Sequence, residues 1–228
     1  MTIDITMTIL SIVLMGGNYL FPADIVHEIL GVALFVLWGV HIALNRRWYS
    51  ALFRGKYNPY RVMQTIINCC ILICTIFLMI SGIILSNHIF TFLNIQGGLG
   101  FARIAHLLAS HWYYLFMSLH IGLHVGRLFQ NITAKIIPRI ILALVCLYGI
   151  YAFIARGVWK YLILRQQFFF FDLDRGYILF AIDYISIIIL FATLSHLLAK
   201  KDERAVLKQQ VGKAKNCDVC VANSITLL

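Results

Sequence analysis

The chain has 228 residues, 61% of them hydrophobic and only 12% charged, with a mean hydropathy of +0.87. This composition excludes a water-soluble globular domain, and the length suits about six membrane spans of about 20 residues with short connections between them. The net charge of +10 is read first through its distribution over loops, and no nucleic-acid role is assigned to it.

The first predicted span covers about 5–21, with Gly16 and Gly17 near its end and Pro22 closing a short turn. No Lys or Arg precedes its apolar run, so the segment is expected to be retained as a span and not removed as a secretory signal. Span two follows at about 24–44. A basic loop then carries Arg46, Arg47, Arg54, Lys56 and Arg61. Span three occupies about 63–85, with Ser81 and Gly82 near its far end, and a connection over 86–103 holds Gly97, Gly98 and Gly100. Span four is expected at about 104–125, span five at 136–154 and span six at 177–199, ahead of a basic tail. Between spans five and six, Trp159, Tyr161 and the phenylalanine run 168–171 read as an interfacial helix or loop at headgroup level.

The expected fold is therefore all-α, a polytopic membrane helical bundle of about six transmembrane helices. A four-helix core would lie in residues 1–130, two further transmembrane helices in 131–199, and a basic tail in 200–228. Six spans put both termini on one side. That side holds fourteen of the nineteen Lys and Arg residues, while Arg103, Arg156, Lys160, Arg165 and Arg175 fall on the other. The excess places both termini in the cytoplasm.

Four of the six cysteines, Cys69, Cys70, Cys74 and Cys146, lie in apolar segments, where a thiol behaves as a small hydrophobe. Cys217 and Cys220 form a CxxC in the tail. Two thiols do not complete a tetrahedral metal site, and the chain has no second pair at that spacing.

The histidines carry the chemistry, because an ionisable side chain within a span is costly and usually faces a functional interior. His27 and His41 are 14 residues apart on span two, and His106 and His120 are 14 apart on span four, which also carries His111 and His124. Fourteen helical steps return to within about 40° of the starting direction and climb about 21 Å. Spans two and four run in the same direction, so His27 meets His106 near the outer face and His41 meets His120 near the inner one. Two facing imidazoles at each of two levels suit axial ligation of two b-type haems.

His124, one turn from His120, competes with it as inner ligand. Gly31 and Gly122 are positioned to let a large ring approach the backbone. Arg103 lies beside His106, Arg46 and Arg47 beyond His41, and Arg127 beyond His124, suited to haem propionates or equally to snorkelling toward the interface. His111 points about 140° from His106 and reads as an outer-leaflet polar contact. His88 and His196, at span ends, read as interfacial. Interhelical hydrogen bonding would account for a lone histidine, but not for the repeated 14-residue interval. Directly bound zinc usually recruits three converging ligands and the stripe spreads its histidines too widely for that, although His120 and His124, one turn apart, could form part of a smaller site.

The segments His27-Glu28-Ile29-Leu30-Gly31, His41-Ile42-Ala43-Leu44-Asn45-Arg46-Arg47-Trp48, Ser81-Gly82-Ile83 and His120-Ile121-Gly122-Leu123-His124 resemble a family of small membrane b-type cytochromes, the flavinylation-associated cytochromes. The resemblance covers about residues 1–130 and matches His27, His41, His106, His120 and His124. It implies a haem-binding helical core in the cytoplasmic (inner) membrane of a prokaryote. Electrons would pass between quinol, or a cytoplasmic donor, and an extracytoplasmic protein carrying covalent flavin. No dinucleotide fingerprint is present, so donor and acceptor would be separate molecules. A different class of function, a histidine-lined proton-coupled transporter or channel, would need acidic partners at midplane depth, and only Asp24, Glu28 and Asp183 lie near span interiors. A third is a membrane subunit that anchors a redox partner with one haem or none.

Overall fold

The computed structural model describes residues 2–17, 21, 23–54, 57–169 and 176–225, without the side chains of residues 127, 130, 133 and 203–225. Among the described residues there are nine α-helices, one short 3-10 turn and no strand. The helices are α1 (Thr2–Leu14), α2 (Asp24–Leu44), α3 (Arg46–Ala51), α4 (Pro59–Leu85), α5 (Leu99–His124), α6 (Gly126–Ala134), α7 (Ile136–Ala155), α8 (Val158–Leu162) and α9 (Gly176–Ile225).

Local chemistry sets the boundaries. Helix α1 ends at Leu14, short of the predicted limit, and the following turn includes Gly17 at φ +58°, a backbone state that glycine adopts without steric cost. At 13 residues it is about 20 Å long. The Pro22 turn expected after it lies outside the described residues. Helix α2 matches its predicted 24–44 limits. Helix α4 starts four residues before the expected Met63, because the Asn58 side chain accepts the Arg61 N–H at 2.8 Å and Pro59 fills the first turn, where its missing N–H costs nothing. The connection predicted to reach Arg103 ends at Gly98, whose φ of +78° precedes α5 and brings Gly100 and Arg103 into the helix. Beyond the predicted end of span six at 199, the backbone of α9 stays helical to Ile225, so the stretch holding Cys217 and Cys220 is helical backbone whose side chains lie outside the description.

Four helices are long and apolar enough to cross a membrane: α2, α4, α7 and the Gly176–Asp202 part of α9. They mark a membrane-embedded protein. On α7, Ile137, Ile140, Ile141, Leu144, Leu147 and Ile154 recur at helical spacing and are all exposed, an apolar stripe suited to acyl chains and not to water. Helix α1 is shorter than a span, and the 26-residue α5 is more polar, carrying four histidines, Ser110, Ser118, Tyr113 and Tyr114.

Helix α5 is polar because it is central. It packs on α4 along one side and on α9 along another, while α7 packs on α9. Tyr113, Tyr114 and Met117 of α5 share a buried cluster with Phe180, Tyr184 and Ile187 of α9, and the Tyr114 hydroxyl donates to the Tyr184 carbonyl. Gly122 decides how closely these helices approach: a Cβ there would lie 2.0 Å from the Ala192 carbonyl oxygen and 2.1 Å from Ser195 Oγ. Ser195 donates to the Leu119 carbonyl across the same contact at 2.8 Å. Gly122 is thus a helix-packing residue against α9, and not the haem cradle its neighbourhood to His120 predicted.

Arg156 departs from its predicted place as a loop cation. It is buried and donates through Nε to Asp183 Oδ2 at 2.7 Å, while the Tyr148 hydroxyl donates to Asp183 Oδ1 at 2.6 Å. This pair ties the end of α7 to α9. Helix α2 is built differently from the rest. None of its residues is buried, it lies mainly along α1, and it is brought near α4 and α5 by a few polar side chains.

Candidate functional site

The α2 and α5 histidines meet in pairs. His27 and His106 have ring centroids 6.4 Å apart, and His41 and His120 have centroids 6.5 Å apart. The pairing makes the two helices co-directional, with about 21 Å of helix between levels. The rings in each pair are tilted steeply, at 61° and 74° between planes, and neither pair is stacked. Two metal–nitrogen bonds of about 2 Å, plus the inner halves of two five-membered rings, come to about 6 Å. The observed separations fit a single metal atom between each pair.

Hydrogen bonds select which ring nitrogen is left for such an atom. His41 Nδ1 donates to Asp4 Oδ1 at 2.8 Å, and His120 Nδ1 donates to Asn68 Oδ1 at 2.8 Å. His106 Nδ1 lies 3.0 Å from Ser81 Oγ, whose own proton goes to the Phe77 carbonyl at 2.6 Å, so Ser81 is the acceptor. In all three histidines Nδ1 carries the proton and Nε2 keeps its lone pair, the arrangement that orients a metal-ligating imidazole, although the His41 Nε2 lone pair also lies 3.5 Å from Asn45 Nδ2. His27 is the exception, with a buried Nδ1 that has no partner.

A cavity of about 500 Å³ opens at the His27–His106 level, within the size range of cofactor sites. Gly31 and Gly82 line it. A Cβ on Gly31 would meet nothing within 4 Å, and one on Gly82 would approach only His106 Cε1, at 3.8 Å. Arg103 is exposed and lines the same cavity, in reach of an anionic group at its rim. The donor set, the ring separation and the open space beside Gly31 fit a haem held by His27 and His106. At the other level Arg46 is exposed and the side chain of Arg127 lies outside the described residues.

His124 stands 4.5 Å from His120 between centroids, exposed at the end of α5. Among the described residues, no three or more His, Cys, Asp or Glu side chains converge as they would around a directly bound ion. His88 is exposed, as expected of an interfacial residue, and its backbone N–H donates to Glu28. His196 is buried and stacked on Phe129, with centroids 4.9 Å apart and planes 13° apart.

Three features of the site were not anticipated from sequence. The Glu28 carboxylate collects Ser86 Oγ at 2.7 Å and the backbone N–H groups of Asn87, His88 and Ile89 at 2.8–3.3 Å, clipping α2 to the loop after α4. A carboxylate followed by a polar loop 58 residues on carries no local signal of this contact. The aromatic segment predicted at headgroup level is divided: Trp159 is half-buried and Phe168 is 60% exposed, while part of its short helix packs inward. Val158 and Tyr161 of α8 are buried, and the Trp112 indole donates to the Leu162 carbonyl at 3.1 Å. Residues 170 and 171 of that segment lie outside the described residues. His111, expected as a polar contact, makes one to the Leu107 carbonyl at 2.8 Å, but it is also 1% exposed, lines the same cavity as His27 and His106, and stacks on Tyr161 at 4.3 Å.

No protein-family profile, curated protein or solved structure matches this chain.

Proposed function

We propose that the chain is a dihaem b-type membrane cytochrome that carries electrons across the bilayer. The observation that carries this reading is the repetition of one geometry: two imidazole pairs, 6.4 and 6.5 Å between centroids, each drawn from the same two helices and separated by 14 residues on both. One such pair is compatible with interhelical contact; two in register are the signature of a repeated ligand site.

His27 and His106 hold the outer haem in this account, and His41 and His120 the inner, with His124 beside the latter. Bound haem supplies one-electron chemistry at its iron. The chain supplies the axial nitrogens, and Ser81, Asn68 and Asp4 fix the rings that present them. Apolar residues of α2, α4 and α5, among them Val32, Leu34, Leu78, Ile83 and Leu107, form part of the cavity wall. The six-span bundle of this account requires α1, 13 residues as described, and the more polar α5 beside α2, α4, α7 and α9, and the excess of Lys and Arg then places both termini in the cytoplasm. No Gly-x-Gly-x-x-Gly fingerprint occurs in these 228 residues, and in this account the terminal partners are separate molecules. They are quinol or a cytoplasmic donor on one side and an extracytoplasmic, flavin-bearing redox protein on the other, as in the family of flavinylation-associated cytochromes that the histidine segments resemble.

The transporter reading has less support. Of the acids it would draw on, Glu28 is occupied by four donors and Asp183 by Tyr148 and Arg156. The test is the visible spectrum of purified protein. A dithionite-reduced b-type α band with about two haems per chain by pyridine haemochrome supports the conduit. Protein that remains colourless when haem is supplied overturns it.

A further inference from the structure

The segment joining α2 to α4 is strongly basic. Between Asn45 and Arg61 it carries Arg46, Arg47, Arg54, Lys56 and Arg61 and no Asp or Glu. Arg46, Arg47 and Arg54 are exposed, and Asp4, which lies by the end of α2, is already engaged by His41. The charge difference between membrane faces accounts for cations in such a loop, but not for the surface beside them. An apolar groove of about 480 Å³ opens there, lined by Tyr57 and by Val62, Met63, Ile66 and Ile67 of α4. Val62 and Ile66 are 41% and 56% exposed, while Ile67 is buried. The eight helical steps from Pro59 to Ile67 climb about 12 Å, so the groove begins at the end of an apolar span and runs into it.

Hydrogen bonds bring the basic loop to the edge of this groove. The Arg61 guanidinium donates to the Ala51 carbonyl at 2.5 Å and lies over the Tyr57 ring, 4.4 Å from its centroid, and the Tyr57 hydroxyl donates to the Leu52 carbonyl. The same Ala51 carbonyl accepts the Arg54 backbone N–H at 3.0 Å. Arg54 and Arg61 therefore stand at one edge of the groove, with the Arg54 side chain exposed. A cationic rim on an apolar groove, at the end of a membrane-spanning helix, matches a molecule with an anionic head and a hydrocarbon tail. A free anion would leave the groove unused, and an uncharged apolar molecule would leave the arginines unused.

We propose that this groove holds one anionic phospholipid, with an acyl chain along Val62, Met63 and Ile66 and the phosphate within reach of Arg54. The site involves neither haem nor the histidine pairs, and it goes beyond the electron-conduit reading. The probes are phosphatidylglycerol and phosphatidylcholine with identical chains. Each is added to the full protein in neutral detergent and counted by native mass spectrometry, with haem content recorded separately.

The expected result is one phosphatidylglycerol per chain, bound about tenfold more tightly than phosphatidylcholine. Arg54→Gln should remove most of that preference, and Arg54→Lys, which keeps the charge, should retain much of it. Ile66→Trp, which fills the groove, should weaken both lipids together. Lys135→Gln, at an exposed cation ahead of α7 and outside the groove, should leave the preference unchanged. Equal binding of the two lipids to the unaltered protein, or failure of both to bind, overturns the proposal. So does a preference that survives Arg54→Gln, or one that Lys135→Gln reduces as far, since the charge would then act diffusely. Displacement of the lipid by inorganic phosphate would mark a simple anion site and overturn it as well. Colourless protein that still selects phosphatidylglycerol would refute the haem reading and leave this one standing, and haem-loaded protein that does not select it would refute this one alone.

Discussion

The two histidine pairs have almost the same ring separation, yet the chain holds them by different means. The His27–His106 pair is enclosed: five parts of the chain wall its cavity, Glu28 clips α2 in place one residue from His27, and only His106 has an Nδ1 acceptor, Ser81. The His41–His120 pair is more open, but both its rings are anchored, His41 by Asp4 and His120 by Asn68. Enclosure orients a ligand by excluding alternatives. Anchoring does so with a directed hydrogen bond. Helix α2, which buries none of its own residues, lies along α1 and is tied to the rest of the bundle by polar contacts at both ends.

The largest expected effect removes the frame beneath both pairs. Asp183→Ala leaves the buried Arg156 without its partner, and loss of one member of a buried ion pair costs about 3–5 kcal/mol. Thermal unfolding in detergent should shift strongly downward, with both levels losing haem together. Preferential loss at one level would mean that α7 and α9 do not support the two pairs equally.

Next come the anchors. Asp4→Ala and Asn68→Ala should each weaken haem retention at the His41–His120 level by about 10–100-fold, the usual cost of losing a partner that orients a metal-bound histidine. Transfer of haem to excess apomyoglobin measures this directly, and the His27–His106 level should be unaffected. The smallest effect is expected from Ser81→Ala. It removes one neutral hydrogen bond, worth about 1 kcal/mol, from a ring that the cavity already confines, so retention there should fall only several-fold. A Ser81→Ala effect as large as that of Asp4→Ala would erase the distinction between enclosure and anchoring.

How far the sequence discloses this arrangement depends on the range of each interaction. The 14-residue intervals are legible because helical periodicity is local: whatever the packing, His27 and His41 share a stripe, and co-directional helices then bring His106 and His120 opposite. The limits of α2 are legible for the same reason. Contacts set by distant packing are not. Gly122 sits within two residues of His120 and invites a role in haem binding, but only the position of α9 shows that its missing side chain admits the Ala192 carbonyl. Arg156 counts as a loop cation until Asp183, 27 residues later, is found against it. The 140° offset of His111 from His106 correctly places it on another part of the helix surface, but cannot reveal that the cavity extends that far around α5.

The central claim is tested most directly by removing one ligand from each level in turn and counting haem. His106→Leu and His120→Leu should each reduce the haemochrome titre from about two per chain to about one, and potentiometric titration of the α band should lose a different one of two one-electron steps in each variant. Loss of both haems from either single change, or a titre unchanged by both, would contradict an arrangement in which each pair holds its own cofactor.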